Sequence, residues 1–144
     1  MPKKKNKPSS LIKVVLDTNI LVSSLMCSKG APARILDLVE SNMLTLYYTA
    51  KMLEECVRVL KYPRLKIKSA QMDWVLWLIK QKGICTEVIK PSENKMIDET
   101  DRIFYDLHKA VGAILITGNS KHYPIENSIM NPADFMKYYN IQPC

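Results

Sequence analysis

The sequence predicts an α/β protein built on a mostly parallel sheet. Three observations carry that reading. The 144-residue chain has the length of one domain. Its 47% hydrophobic and 24% charged residues describe a globular chain that buries its own core without disulfide or metal staples. Along it, short apolar runs alternate with segments whose apolar residues recur at helical spacing, the pattern of βαβ units with both sheet faces covered.

Residues 1–10, MPKKKNKPSS, read as a flexible basic tail, and 11–144 as a single domain. Ile12–Leu16 is a buried-type strand that ends at Asp17. Gly30-Ala31-Pro32 opens a helix with proline in its first turn, and Ile35, Leu38 and Val39 form its apolar face. Leu44–Tyr48 is the second strand. Thr49 suits the cap of a helix running to about Lys61, which Pro63 stops. Ser69 suits the cap of the next, with Met72, Val75, Leu78 and Ile79 as its buried stripe and Gly83 as its end. Ile84–Ile89 alternates like a strand and gives way to a polar loop, Lys90–Glu99. Asp101–Val111 is helical, with Ile103, Phe104, Leu107 and Val111 on one side. Ala113–Thr117 is a strongly apolar strand, Ile129–Met130 a short last strand, and Pro132–Tyr139 a closing helix.

Charge and cysteine usage narrow the function classes. The net charge of +7 suggests a polyanionic partner. Uncharged runs reach only about 11 residues against the ~18 a membrane span needs. Cys27, Cys56, Cys85 and Cys144 form no C-x-x-C pair, and with only His108 and His122 beside them a zinc site is not expected. They read as reduced, mostly buried thiols of a cytoplasmic protein, and no export signal is visible.

In open parallel sheets, chemistry gathers beyond the carboxyl ends of the strands, where the strand order switches. Two strands end there in similar polar residues: Leu16-Asp17-Thr18-Asn19 and Ile116-Thr117-Gly118-Asn119. Glu54-Glu55, in the helix after the second strand, and Asp98 with Asp101, where the polar loop enters a helix, can converge on them. Helical angles favour Glu55 over Glu54 as the inward carboxylate, with Glu55 about 40° beyond Val59 on the border of the apolar face and Glu54 about 60° beyond Val57; Glu54 is also spaced to pair with Arg58. Two carboxylates about 5 Å apart repel by about 3 kcal/mol at an effective dielectric of 20, and three by roughly 10. That rivals the ~5–15 kcal/mol stability of a whole domain. Protons, cationic side chains or a divalent cation must offset it, and hard oxygen ligands point to Mg²⁺ or Mn²⁺. The plainer alternatives are that Asp17, Asp98 and Asp101 are helix caps, that Glu55 lies on the surface, and that Thr117 and Asn119 merely make a turn.

These blocks resemble a known family. Val14-Val15-Leu16-Asp17-Thr18-Asn19-Ile20-Leu21 is similar to the opening motif of PIN-domain nucleases. Glu55-Cys56-Val57-Arg58-Val59-Leu60, with Tyr62-Pro63-Arg64, is similar to the family's acid-bearing helix and its exit. Asp98-Glu99-Thr100-Asp101-Arg102-Ile103-Phe104, leading to Ile116-Thr117-Gly118-Asn119, resembles the third acidic block and final strand. The similarity spans about Ile12 to Tyr138 and is nearest to single-domain, VapC-like toxin ribonucleases of prokaryotes. It implies a three-layer α/β/α fold, a Mg²⁺- or Mn²⁺-dependent endoribonuclease, a cognate antitoxin and often a homodimer. Carried over by motif, the acids fall on Asp17, Glu55 and Asp101, with Asp98 as an accessory acid. The fourth acidic position falls on Asn119, whose amide offers an oxygen but no charge, so a second metal is held more weakly, which implies either a one-metal mechanism or lowered activity. Thr18, Asn19 and Thr117 match polar positions that support the acids.

A basic band adjoins the acids: Lys51, Arg58, Lys61, Arg64, Lys66 and Lys68. It is placed to hold the phosphate backbone of RNA, against the plainer reading of a solvated helix edge. Tyr47, Tyr48, Tyr62, Trp74 and Trp77 are either base-stacking platforms or core and subunit-interface residues. His108 and His122 are either phosphate contacts or ordinary surface histidines. Two other classes stay open: a noncatalytic RNA- or protein-binding module, and a phospho-accepting receiver. The receiver is disfavoured because the third strand runs into Lys90-Pro91 rather than an acceptor aspartate.

Overall fold

The computed structural model describes residues 11–141. The basic tail expected over 1–10 and Cys144 therefore lie outside the described residues. Five strands form one wholly parallel sheet in the order β3-β2-β1-β4-β5. They are β1 (Ile12–Leu16), β2 (Leu44–Tyr48), β3 (Gly83–Cys85), β4 (Ile114–Ile116) and β5 (Ile129–Met130). The helices are α1 (Thr18–Met26), α2 (Ala31–Glu40), α3 (Ala50–Leu60), α4 (Ser69–Lys82), α5 (Arg102–Val111) and α6 (Pro132–Ile141).

Strand alternation sorts the core into two faces. Val14 and Leu16 point into one cluster with Ile20, Ile35, Leu36, Leu60, Leu78 and Phe135, drawn from α1, α2, α3, α4 and α6. Val15 and Leu115 point the other way, against Phe104, Tyr105 and Leu107 of α5. The result is the expected α/β/α sandwich. The chain leaves β1 toward β2 and β3 on one side and returns as β4 on the other. The switch point thus lies between β1 and β4.

Local chemistry explains most boundaries. Thr49 caps α3, its hydroxyl accepting the Met52 N–H at 3.1 Å. The α4 cap falls one residue early: Lys68 occupies it, and Gln71 Oε1 reaches back to accept the Lys68 N–H at 2.9 Å. Helix α5 ends at Gly112 with φ +68°, a left-handed conformation that glycine adopts without strain.

Three expectations are corrected. The sequence pattern omits α1, whose nine residues mix Thr18, Asn19, Ser23 and Ser24 with the buried Ile20 and Leu21. Its polar residues hide the periodicity, and tertiary packing forms it. The third strand stops at Cys85 instead of Ile89. It is an edge strand whose one partner, β2, ends at Tyr48. Beyond the Thr86 N–H to Tyr48 O bond at 2.8 Å, no ladder remains to hold it. The thiols are not mostly buried: Cys27 and Cys85 are exposed and only Cys56 is buried among the described cysteines. No described helix is long and apolar enough to cross a membrane.

Candidate active site

Asp17 follows β1 directly and occupies the cap position of α1, yet its side chain caps nothing. It is 6% exposed. Its Oδ2 instead accepts two hydroxyl hydrogen bonds, from Thr117 Oγ1 and from Tyr123 OH, each at 2.9 Å. Thr117 comes immediately after β4 and is fully buried. Its oxygen also receives the Asn119 backbone N–H at 3.0 Å and lies 3.5 Å from Asn19 Nδ2. Asn19 Oδ1 takes the Gly118 N–H at 2.9 Å. These bonds stitch the ends of β1 and β4 together across the switch point. Thr18 is buried at the start of α1.

Asp101 sits at the N-terminus of α5, also without a side-chain cap. Its Oδ2 is buried and has no hydrogen-bond partner; His122 Nδ1 stands 3.7 Å away. Burial, then Asp17 and Asp98, push its carboxyl up to about 6; Glu55 adds to the rise and His122 opposes it. That coupling places four acids in one electrostatic neighbourhood. The N-termini of α1 and α5 contribute positive dipole ends that offset part of the repulsion.

The remaining residues divide. Glu55 is half-buried and Glu54 exposed, in line with the helical angles. The Arg58 partner, however, is Glu55 rather than Glu54. Arg58 also reaches the Tyr62 hydroxyl. Asp98 caps the turn ahead of α5: its Oδ1 accepts both the N–H and the hydroxyl of Thr100, at 3.0 and 2.8 Å, and these bonds hold its carboxyl below the ordinary value. The Asn119 side chain is exposed and makes no hydrogen bond to the acids. Among the described residues, no three acidic, histidine or cysteine side chains stand ready-made as a metal cage. The donor set is nonetheless one of hard oxygens, and an orphaned buried carboxylate oxygen is the feature a hard divalent cation would satisfy.

Lys61, Arg64, Lys66 and Lys68 are exposed in the segment that follows α3. At ~1.5 Å per residue, Glu55 lies about 9 Å along the helix axis from Lys61. Arg64 and Arg58 both lie against the Tyr62 ring, at 5.4 and 5.7 Å. Tyr47, Tyr48 and Trp74 pack on the core, whereas Trp77 is 47% exposed. His108 is no surface residue. It is 1% exposed, with Nδ1 2.6 Å from Tyr105 O and Nε2 3.1 Å from Ser128 Oγ, and it ties α5 to the loop before β5. Sequence reasoning missed Tyr123. Its only signal was proximity to the strand-end polar block, and nothing in its spacing marks it as a partner of Asp17.

The fold and this crevice define a parallel α/β domain with an acidic, partly desolvated site at its topological switch point. The chain belongs to the PIN-domain family, whose model matches residues 13–121. It is 30% identical over 110 residues to "Uncharacterized protein MJ1680" of Methanocaldococcus jannaschii, spanning 75% of this chain and 71% of that one. Its fold is similar to the crystal structure of PAE2754 from Pyrobaculum aerophilum, with a TM-score of 0.62 and 12% identity over 99% of this chain and 100% of that chain. PIN domains are generally nucleases and typically use divalent metals, so the chain is a nuclease-type module of the hydrolase kind.

Proposed function

We propose that this protein is a divalent-metal-dependent endoribonuclease, the toxin half of a toxin–antitoxin pair, with Asp17, Glu55 and Asp101 as its metal ligands. The observation that carries the reading is Asp101. A carboxylate pushed up to about 6 by burial and by neighbouring acids, with a buried oxygen left unbonded, is costly unless a cation takes it up. Mg²⁺ or Mn²⁺ bound there supplies Lewis acidity and an activated water for phosphodiester hydrolysis.

The chain's own residues then have distinct tasks. Asp17 offers a carboxylate fixed on rigid backbone by Thr117. Asp101 would offer its unbonded Oδ2, and Glu55, paired here with Arg58, would help hold the cation. Arg58 would join Lys61, Arg64, Lys66 and Lys68 as a phosphate-binding strip for single-stranded or structured RNA. His122 stands at the rim beside Asp101, and Asp98 supports the local field while capping its turn. Asn119 adds no charge, which favours one metal over two. A cognate antitoxin and a homodimer belong to the same proposal.

Asp17→Asn tests it. In nuclease-free preparations the variant should fold normally and lose Mg²⁺- or Mn²⁺-dependent RNA cleavage; full turnover would remove the assignment. The alternative, a PIN module weakened at Asn119, gives salt-sensitive RNA binding with no EDTA-sensitive cleavage by the wild type.

A further inference from the structure

We propose that Tyr123 is a positioning residue for the acidic centre: its phenol holds Asp17 in the orientation in which that carboxylate receives a divalent cation. The proposal rests on the reading of Asp17 as a metal ligand. Tyr123 follows the short 3-10 turn Ser120–His122 at the end of β4. It is 3% exposed and packs with Val15, Met96, Phe104 and Leu115 in the core on the α5 side. Its ring is therefore fixed by the core, and its hydroxyl has Asp17 Oδ2 as its hydrogen-bond partner, at 2.9 Å.

The second donor on that oxygen is equally determined. A threonine hydroxyl has one proton and two lone pairs. The Asn119 N–H and the Asn19 amide occupy the lone pairs of Thr117, which directs its proton to Asp17 Oδ2. Two donors thus converge on Oδ2 and neither touches Oδ1. An aspartate at a helix cap position ordinarily turns to accept the N–H groups of the first turn. Asp17 does not, because the two hydroxyls hold Oδ2 away from them. Removing one frees the carboxylate to rotate toward α1, and the ligand oxygen is no longer preset. Partners of this kind typically change metal affinity by about 10–100-fold.

The test uses the full chain and MnCl₂ as the probe. Tyr123→Phe keeps the ring in the core and deletes only the donor. With an unchanged circular dichroism spectrum, calorimetry should show Mn²⁺ binding weakened at least about tenfold. The Mn²⁺ concentration for half-maximal RNA cleavage should rise by the same factor, with turnover recovering at saturating Mn²⁺. A purely structural role would not be rescued by metal. Wild-type Mn²⁺ affinity in Tyr123→Phe overturns the proposal. Asp17→Asn separates the two levels. If it binds Mn²⁺ like the wild type, the reading of Asp17 as a ligand fails; if it loses Mn²⁺ while Tyr123→Phe does not, only the role of Tyr123 fails. Should Tyr123→Phe fold poorly, 4-fluorophenylalanine at position 123 fills nearly the volume of tyrosine without a donor, and the same shift is required of it.

Discussion

Replacing Asp101 with asparagine should stabilise the metal-free protein at neutral pH, the opposite of what removing a half-buried residue usually does. Burial and the charges of Asp17, Asp98 and Glu55 lift its carboxyl from 3.8 to about 6 in the folded chain, with His122 opposing. The folded state therefore holds this proton more tightly than the unfolded state does. The linkage sign follows: the contribution of Asp101 to stability is fully present below about pH 3.8 and is lost as pH rises through 6. At about 1.4 kcal/mol per pH unit, ionisation opposes folding by roughly 3 kcal/mol at pH 7.5. The side chain is only 17% exposed, so solvent screening removes little of this. An asparagine amide keeps the shape of the carboxylate without its charge. Urea denaturation in EDTA should show the Asp101→Asn variant more stable than wild type by up to about 3 kcal/mol at pH 7.5, and by almost nothing near pH 4. Saturating Mn²⁺ should reverse the order, since a ligand at about 1,000 times its Kd stabilises the binding-competent wild type by about 4.1 kcal/mol. A variant less stable than wild type in EDTA at pH 7.5, or one whose gain is equal at both pH values, would refute the picture of mutually repelling, partly desolvated acids.

Two further outcomes probe the band and the scaffold. Lys61→Ala, Arg64→Ala and Lys66→Ala together should weaken single-stranded RNA binding and flatten the slope of log K against log salt by about 0.7 for each phosphate that is no longer neutralised; fluorescence anisotropy across a salt series reads it, and an unchanged slope removes these cations from the RNA path. At Gly83 an added Cβ would lie 2.5 Å from Ile79 O and 2.8 Å from the Tyr48 ring, so Gly83→Ala should cost about 1–3 kcal/mol by chemical denaturation, and wild-type stability would contradict the packing of α4 and β3 against β2.

Much of the architecture was legible because it is written in local signals. The runs Ile12–Leu16, Leu44–Tyr48 and Ile114–Ile116 are apolar except at Lys13 and Thr45, close to what strands covered on both faces require. Thr49 marks the start of α3 by its own capping chemistry, and α4 ends at Gly83 as its apolar stripe indicates. What escaped was set by neighbours. Helix α1 has too few residues and too many hydroxyls to announce itself, and β3 is cut short by where β2 ends. His108 looked like any histidine, yet Tyr105 O and Ser128 Oγ satisfy it in the interior.

The same division runs through the site. Sequence alone determined that acids follow the first strand and open the fifth helix, because the apolar periods mark where that strand ends and that helix begins. It also determined a cationic surplus after α3. Only the tertiary structure decided that Asp17 is held by Thr117 and Tyr123, about a hundred residues downstream, that Asp98 is committed to a cap, and that Asp101 keeps an unbonded oxygen. Period and spacing describe neighbours along the chain. Which hydroxyl reaches which carboxylate depends on β1 and β4 pairing across the switch point, a contact that no local pattern encodes.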